Sequence, residues 1–214
     1  ESGVSVNASD VPAEKNEIGV LKTSCVYTRK FRCEENKTVF EEEKNRVKCP
    51  VRKDAIIISR MNTPDLVGAS ALVESDFENL YLPDRLWQTV FFNDSVQNPK
   101  FISYFMMVEG FRDEISNYAE GASSSMQNIA KEDYLSIPVL LPTIEEQEDL
   151  VNFIDINLKK LSLLIDKSDY AVALLKERRT ALISAAVTGK IDVRNIADNS
   201  VSNRSKTELE QVVG

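Results

Sequence analysis

Histidine is absent from the 214-residue sequence, and glycine is scarce. The absence of histidine removes the side chain that most often serves as a general base or a metal ligand. The seven glycines include no two separated by a single residue, and none is followed by Lys and then Ser or Thr. These facts exclude a G-x-G-x-x-G turn and a Walker A loop. We therefore expect a chain that is not an enzyme and has no nucleotide-binding site.

Cysteines and long apolar runs are also few or missing. Cys25, Cys33 and Cys49 are odd in number and include no C-x-x-C pair, which indicates free thiols rather than disulfides or a zinc site. No apolar run approaches the roughly 20 residues of a membrane helix. Residues 1–6 contain no Met, no basic segment and no apolar segment. We expect a cytoplasmic chain without a metal, whose start suggests a fragment or a processed protein.

Charge is unevenly distributed along the chain. The net charge is −8 at pH 7, whereas a protein that binds nucleic acid often has a basic surface. Residues 20–60 nevertheless contain eleven Lys or Arg and six Asp or Glu, so this segment is +5 and the remainder is −13. A locally basic face on an acidic chain fits a protein that shares its phosphate contacts with a partner. The alternative is an ordinary solvated segment of mixed charge.

The first 142 residues are typical of a small mixed α+β domain. β-Branched and aromatic runs predict four strands, with turn residues between them. Asn98 and Pro99 suit the cap and the first position of a helix that is interrupted at Gly110. A small polar loop is expected at residues 121–129. The predicted strands lie at residues 19–27, 55–59, 66–73 and 87–92.

One long helix is predicted to follow this domain. Thr143 and Glu146 form a capping box, and neither Gly nor Pro occurs again until Gly189. A helix over residues 143–187 would be about 67 Å long, which requires a partner helix. Apolar side chains recur at alternating steps of three and four, which predicts a coiled coil and, for a chain that stands alone, an antiparallel homodimer. The apolar positions are Val151, Ile154, Leu158, Leu161, Ile165, Val172, Leu175 and Leu182.

The sequence therefore divides into three predicted segments. Residues 1–142 form the mixed domain, and residues 143–189 form the coiled-coil helix with its stop at Gly189. Residues 190–214 are polar and aperiodic, which predicts a disordered tail.

Several motifs resemble the specificity subunits of type I restriction-modification systems. The first is Leu-Pro-Thr-Ile-Glu-Glu-Gln at residues 141–147, where the long helix begins. The second is the segment at residues 175–194, which includes Glu-Arg-Arg and, further on, Thr-Gly-Lys-Ile. Residues 59–68 and 121–129 are similar to segments of that family's target-recognition domains. The resemblance extends over residues 3–194.

The resemblance implies a chain that recognises DNA without catalysing a reaction. A full specificity subunit holds two target-recognition domains apart with two antiparallel helices, and each domain recognises one half of a bipartite target. This chain matches one domain and one helix, so it corresponds to a C-terminal half or to a half-subunit that pairs with itself. The implied partners are double-stranded DNA, methyltransferase subunits and restriction subunits. S-adenosylmethionine, ATP and Mg²⁺ would be bound by those subunits and not by this chain.

The candidate DNA-binding residues form three groups. Arg60, Asn62 and Thr63 follow a hydrophobic strand, and Arg can bind guanine and Asn adenine through two hydrogen bonds. The alternative is a structural turn in which Asn62 binds backbone groups. Four basic residues could contact phosphates or simply face solvent, and four polar-loop residues could contact phosphates or base edges, or have no role. These two groups are Lys22, Arg29, Lys30 and Arg32, and Ser124, Ser125, Gln127 and Asn128.

A second function stays open at this point. The chain could be a coiled-coil assembly module whose globular head binds protein and not DNA, and salt-dependent binding to duplex DNA distinguishes the two. Trp87 is expected in the core, while Arg85 and Gln88 beside it are left without a predicted role.

Overall fold

The chain divides into two compact units, Glu1–Phe153 and Ile154–Gly214. The computed structural model describes residues 1–92, 96–123 and 126–191, without the side chains of residues 120–123. The described strands are β1 (Ala8–Ser9), β2 (Gly19–Leu21), β3 (Asn36–Val39), β4 (Ile56–Ser59), β5 (Met61–Asn62), β6 (Ser70–Leu72), β7 (Leu80–Tyr81), β8 (Leu86–Gln88), β9 (Glu120–Ser123) and β10 (Met126–Asn128). The described α-helices are α1 (Pro99–Phe105), α2 (Glu109–Tyr118), α3 (Lys131–Ser136) and α4 (Ile144–Val187). The predicted α+β class with one long C-terminal helix is confirmed.

The described strands form three small sheets in the first unit. One has the order β1-β3-β2-β7, in which β2 and β7 run parallel and the other neighbours run antiparallel. The second has the order β6-β4-β8 and the third β5-β10-β9, and both are antiparallel. All four residues of β4, Ile-Ile-Ile-Ser, are buried. Burial on both faces explains why β4 is a continuous apolar run and does not alternate with polar residues.

Arg60 joins the second sheet to the third. It is the single residue between β4 and β5. Its backbone N–H donates to the carbonyl oxygen of Arg85 at 3.1 Å, and its carbonyl oxygen accepts from the N–H of Ile129 at 3.1 Å. The first bond continues the β4–β8 register and the second continues the β5–β10 register. The two sheets are therefore connected through one residue.

Two apolar cores lie on the two faces of β4. Because successive side chains of a strand point to opposite faces, Ile57 belongs to one core and Ile56 and Ile58 belong to the other. Trp87 is 8% exposed and meets Tyr134 edge to face, with ring centroids 5.7 Å apart. The prediction that Trp87 lies in the core is confirmed.

Three predicted strands are shorter than expected. The strand predicted at residues 19–27 is limited to β2, because the 3-10 helix Thr23–Val26 follows it. The strand predicted at residues 66–73 is limited to β6, since a turn at Gly68, with a φ of 69°, precedes it. The strand predicted at residues 87–92 is limited to β8 and begins one residue earlier.

The polar loop and the helix break were also placed wrongly. The loop predicted at residues 121–129 is wrong for β9 and β10, which pair antiparallel with each other, while β10 also pairs with β5. Pairing with neighbours overrides the low strand propensity of Gly, Ser and Gln. Gly110 does not interrupt a helix, because α2 begins at Glu109 and includes it. The break lies instead between α1 and α2.

Side chains fix the starts of α1 and α4 to each other. The Asn98 side-chain oxygen accepts from the backbone N–H groups of Lys100 at 2.9 Å and Phe101 at 3.1 Å, which confirms the predicted cap. The backbone N–H of Asn98 donates to the side-chain oxygen of Gln147 at 2.9 Å. The Gln147 amide nitrogen donates to the carbonyl oxygens of Val96 and Pro142, each at 2.9 Å. Gln147 is fully buried, so these bonds satisfy its polar atoms.

Both ends of α4 carry the predicted signals. The Thr143 N–H donates to the Glu146 carboxylate at 3.1 Å, and the Glu146 N–H donates to the Thr143 hydroxyl at 3.4 Å, which confirms the capping box. At the other end Gly189 has a φ of 71°. The N–H groups of Lys190 and Gly189 bind the carbonyl oxygens of Ala185 and Ala186, at 2.8 and 3.2 Å. This pattern is a Schellman motif, so the predicted stop at Gly189 is confirmed.

Candidate nucleic-acid interface

Asn62 is held inside the first unit by its own side chain. Its amide nitrogen donates to the hydroxyl groups of Tyr27 at 2.9 Å and Ser59 at 3.1 Å. Its side-chain oxygen accepts from the N–H of Thr63 at 2.9 Å, and Asn62 is only 8% exposed. The Tyr27 hydroxyl also shares a hydrogen bond of 2.9 Å with Thr23. These contacts favour the structural alternative for Asn62, and the predicted contact with a base stays a prediction.

The other candidates of β5 and β10 lie around Asn62. Thr63 is exposed, and the partly exposed Gln127 lies opposite Asn62 in the β5–β10 register. Asn128 lies opposite Met61, and its side-chain oxygen is buried without a hydrogen-bond partner in the described part of the chain. The structure thus brings the predicted residues of two distant segments onto neighbouring strands. The remaining two candidates, Ser124 and Ser125, lie outside the described residues.

Arg60 and Arg85 are cross-strand neighbours at the edge of this group. The hydrogen bond from the N–H of Arg60 to the carbonyl oxygen of Arg85 places the two residues opposite each other. The Arg60 Nε is buried and has no hydrogen-bond partner among the described residues, while Arg85 is exposed. Among residues 1–92, 96–123 and 126–191, no salt bridge involves either side chain. Two cationic residues are therefore opposite each other across the strands, and neither forms an ion pair with a described carboxylate.

A second pair of arginines, Arg29 and Arg112, lies near the turn that follows Thr63. Arg112 donates to the carbonyl oxygens of Val67 at 2.6 Å and Asp65 at 3.1 Å, so it supports that turn. Arg29 has a left-handed backbone with a φ of 60°, and its Nη1 is buried without a hydrogen-bond partner in the part of the chain that the structure describes. Burial lowers the pKa of Arg112, and the positive charge of the nearby Arg29 lowers it further.

The remaining predicted phosphate contacts differ in how far their charge is already paired. Lys22 lies 3.3 Å from a carboxylate oxygen of Asp10. Arg32 lies 2.9 Å from a carboxylate oxygen of Glu34, and this hydrogen bond raises the pKa of Arg32. Lys30 is exposed and forms no ion pair with the residues that the structure describes. Lys30 is thus the most available of these three cations.

Three residues of this region, and Gln147 at the start of α4, were not found from the sequence. Tyr27 was assigned to a strand, although its hydroxyl binds Asn62. The position of Arg85 opposite Arg60 follows only from the strand register. The role of Arg112 follows only from its hydrogen bond to the turn that it supports. Gln147 could have been found, since it ends the motif at residues 141–147 in which the long helix begins.

The predicted pairing residues of α4 are mostly exposed within the single chain. Val151 is 7% exposed and therefore already buried, and Ile154 is partly buried. The other six side chains are between 48% and 63% exposed. They are Leu158, Leu161, Ile165, Val172, Leu175 and Leu182.

Within the described residues, no group of three or more Cys, Asp or Glu side chains is arranged to hold a metal ion. The three cysteines are free, and burial raises the pKa of the Cys25 thiol. None of the described helices combines the length and the apolar character that crossing a membrane requires.

The contacts of Asn62 predict a large loss of stability on its replacement. Asn62→Ala leaves the hydroxyl groups of Tyr27 and Ser59 without their donor, so we expect the free energy of unfolding to fall by about 1–3 kcal/mol. Asn45→Ala is the matched control, because Asn45 is exposed on the 3-10 helix Glu41–Arg46 and should change stability by less than about 0.5 kcal/mol. Urea unfolding followed by Trp87 fluorescence measures both. Equal small effects would show that Asn62 does not hold this turn.

Comparison with known proteins places these features in context. No family model matches the chain. The chain is similar to the type I restriction enzyme EcoEI specificity subunit of Escherichia coli, with 28% identity over 156 residues. The matched region is 72% of this chain and 26% of that protein, so the chain spans about a quarter of the length of this relative. The similarity supports the resemblance of this chain to the family of type I specificity subunits.

Proposed function

We propose that this chain contributes DNA sequence specificity to a type I restriction-modification system. The observation that carries the proposal is the similarity to the EcoEI specificity subunit over 72% of the chain. The candidate interface adds a physical reason, because amide, hydroxyl and guanidinium groups lie together on and beside β5 and β10. Such groups suit contacts with base edges and phosphates.

We propose a different task for each side chain of the interface. Thr63 and Gln127, which are exposed and partly exposed, are proposed to contact base edges. Asn62 positions both, because its hydrogen bonds fix the turn at Thr63 and its backbone pairs with Gln127. Lys30 is proposed to contact a phosphate from the neighbouring loop.

In this proposal the chain recognises DNA and catalyses no reaction. It binds one half of a bipartite target and directs methyltransferase and restriction subunits to it. Those subunits bind S-adenosylmethionine, ATP and Mg²⁺. The chain's own contribution is to hold polar groups on strands that a buried core keeps rigid.

Selection of binding sites from random duplexes tests the proposal. The chain, alone or with its methyltransferase subunit, should enrich a defined sequence, and binding should weaken steeply with salt. Gln127→Ala should flatten preference at one position by about 1–3 kcal/mol, because it removes a base contact. Lys30→Gln should weaken binding to all sequences alike, whereas Lys48→Gln, which also removes an exposed charge, should change little.

The opposite results would favour the assembly-module alternative. Binding that is absent with and without the methyltransferase subunit would reject the DNA-recognition proposal. A Gln127→Ala effect that is equal on selected and random duplexes would show that the base-contacting strands are misplaced.

We also propose that α4 pairs with α4 of a second copy, in antiparallel orientation. The six exposed pairing positions recur along the helix from Leu158 to Leu182 at steps typical of a coiled coil. Burial of one Leu or Ile side chain contributes roughly 1.5–3 kcal/mol, so covering these positions strongly favours pairing. Antiparallel pairing sets the N-termini of the two helices at opposite ends, as recognition of a split target requires.

Charge placed on the pairing positions should separate the copies. Leu158→Glu with Leu161→Glu should convert the dimer to a monomer in sedimentation at tens of micromolar, without unfolding the first unit. Leu163→Glu is the matched control, because Leu161 and Leu163 are both 54% exposed but only Leu161 belongs to the repeat. This single change should leave the dimer intact.

Two outcomes would contradict the pairing proposal. A stable, folded monomer of the unchanged chain at tens of micromolar would reject self-pairing and favour a helix from another chain segment or subunit. A cross-link between Leu182→Cys residues of two copies would reject the antiparallel orientation.

A further inference from the structure

We propose that Arg60 and Arg85 together bind one oxyanion of the DNA phosphodiester backbone. This inference rests on the proposed function, because it takes DNA as the ligand. It changes the role of Arg60 from the predicted contact with guanine to a contact with phosphate. It also gives a role to Arg85, which had none from the sequence.

The strand register brings the two residues together. Ser59 pairs with Leu86 in the β4–β8 ladder, and the bond from the Arg60 N–H to the Arg85 carbonyl oxygen extends that ladder by one residue. Residues directly opposite on antiparallel strands have their Cβ atoms about 5 Å apart. The side chains of Arg60 and Arg85 therefore leave the backbone about 5 Å apart, on neighbouring strands of one sheet.

Two like charges in this arrangement destabilise a sheet unless an anion lies between them. Each of the carboxylate-paired cations described above, such as Lys22 with Asp10, is neutralised within the chain. Arg60 and Arg85 form no salt bridge with any described residue, and the Arg60 Nε is buried without an acceptor. An anion held between the two side chains would offset the repulsion between their charges.

A phosphodiester oxyanion fits this requirement. Guanidinium groups present parallel N–H donors that match two oxygens of a phosphate. The site also lies where a phosphate contact would be useful, since Arg60 directly precedes β5 and its carbonyl oxygen binds Ile129, which directly follows β10. A phosphate held there would set the register of the duplex against the proposed base contacts.

Four variants of the full chain test the proposal. Arg60→Gln, Arg85→Gln and the double variant each remove charge from the site. Lys53→Gln is the matched control, because Lys53 is exposed and precedes β4, whereas Arg60 follows it. Two independent readouts are the thermal midpoint in inorganic phosphate against NaCl of equal ionic strength, and the affinity for a random-sequence duplex at several NaCl concentrations.

The expected results follow from one shared phosphate. Inorganic phosphate should raise the thermal midpoint of the unchanged chain and of Lys53→Gln, and this rise should be lost in both arginine variants. Each arginine variant should reduce the slope of log affinity against log salt by about 1, equally for all sequences. The double variant should lose little more than either single variant, because both side chains bind the same group.

Other outcomes would overturn the assignment. Arginine variants that lose sequence preference at one position, with an unchanged salt slope, would show that Arg60 contacts a base. Phosphate protection without any effect on duplex affinity would show an oxyanion site that serves another ligand, such as a carboxylate of a partner protein. No phosphate protection in the unchanged chain would reject the anion site itself, whereas phosphate protection in a chain that binds no duplex would reject the proposed function instead.

Discussion

The two backbone hydrogen bonds of Arg60 are the constraint on which the candidate interface depends. They connect the buried sheet of β4 to the small sheet of β5, β9 and β10 through a single residue. Because both bonds use backbone atoms, the side chain of Arg60 is not needed for the connection and can serve another purpose. The strands that carry the proposed DNA contacts thereby take their position from β4, which is buried on both faces. A site supported in this way keeps its geometry better than one on an isolated loop.

The polar side chains near Arg60, which connects β4 to β5, are of two kinds. Some have all their hydrogen bonds satisfied within the chain, and others do not. Asn62 has its donors on Tyr27 and Ser59 and its acceptor on Thr63, so it can stabilise the turn but has little capacity left for a ligand. Arg60 retains a buried nitrogen that has no partner among the described residues, and it lies opposite a second cationic residue across the strands. In a folded protein, unsatisfied buried polar groups are uncommon and often mark a functional site. Residues 60–62 therefore include one side chain that stabilises the structure, Asn62, and one that is proposed to bind a ligand, Arg60.

Local signals in the sequence predicted the helices better than the sheets. The cap at Asn98, the capping box at Thr143 and the stop at Gly189 depend on neighbours in sequence, and all three were predicted correctly. The hairpin of β9 and β10 was predicted as a loop, because β10 is stabilised by pairing with β5, more than 60 residues away. Arg85 could not be assigned for the same reason, since its position opposite Arg60 follows only from the strand register. Sequence alone could place Asn62 near the site but could not show that its amide group is already bound.

Amide hydrogen exchange of the chain with and without duplex DNA tests the central claim most directly. If the duplex binds over Arg60 and the strands beside it, the amides of residues 60–63, 85–88 and 126–129 should exchange more slowly in the complex. The sheet formed by β1, β3, β2 and β7 should exchange at the same rate in both states. Protection confined to that sheet or to α4, with no change at residues 60–63 and 126–129, would contradict the account.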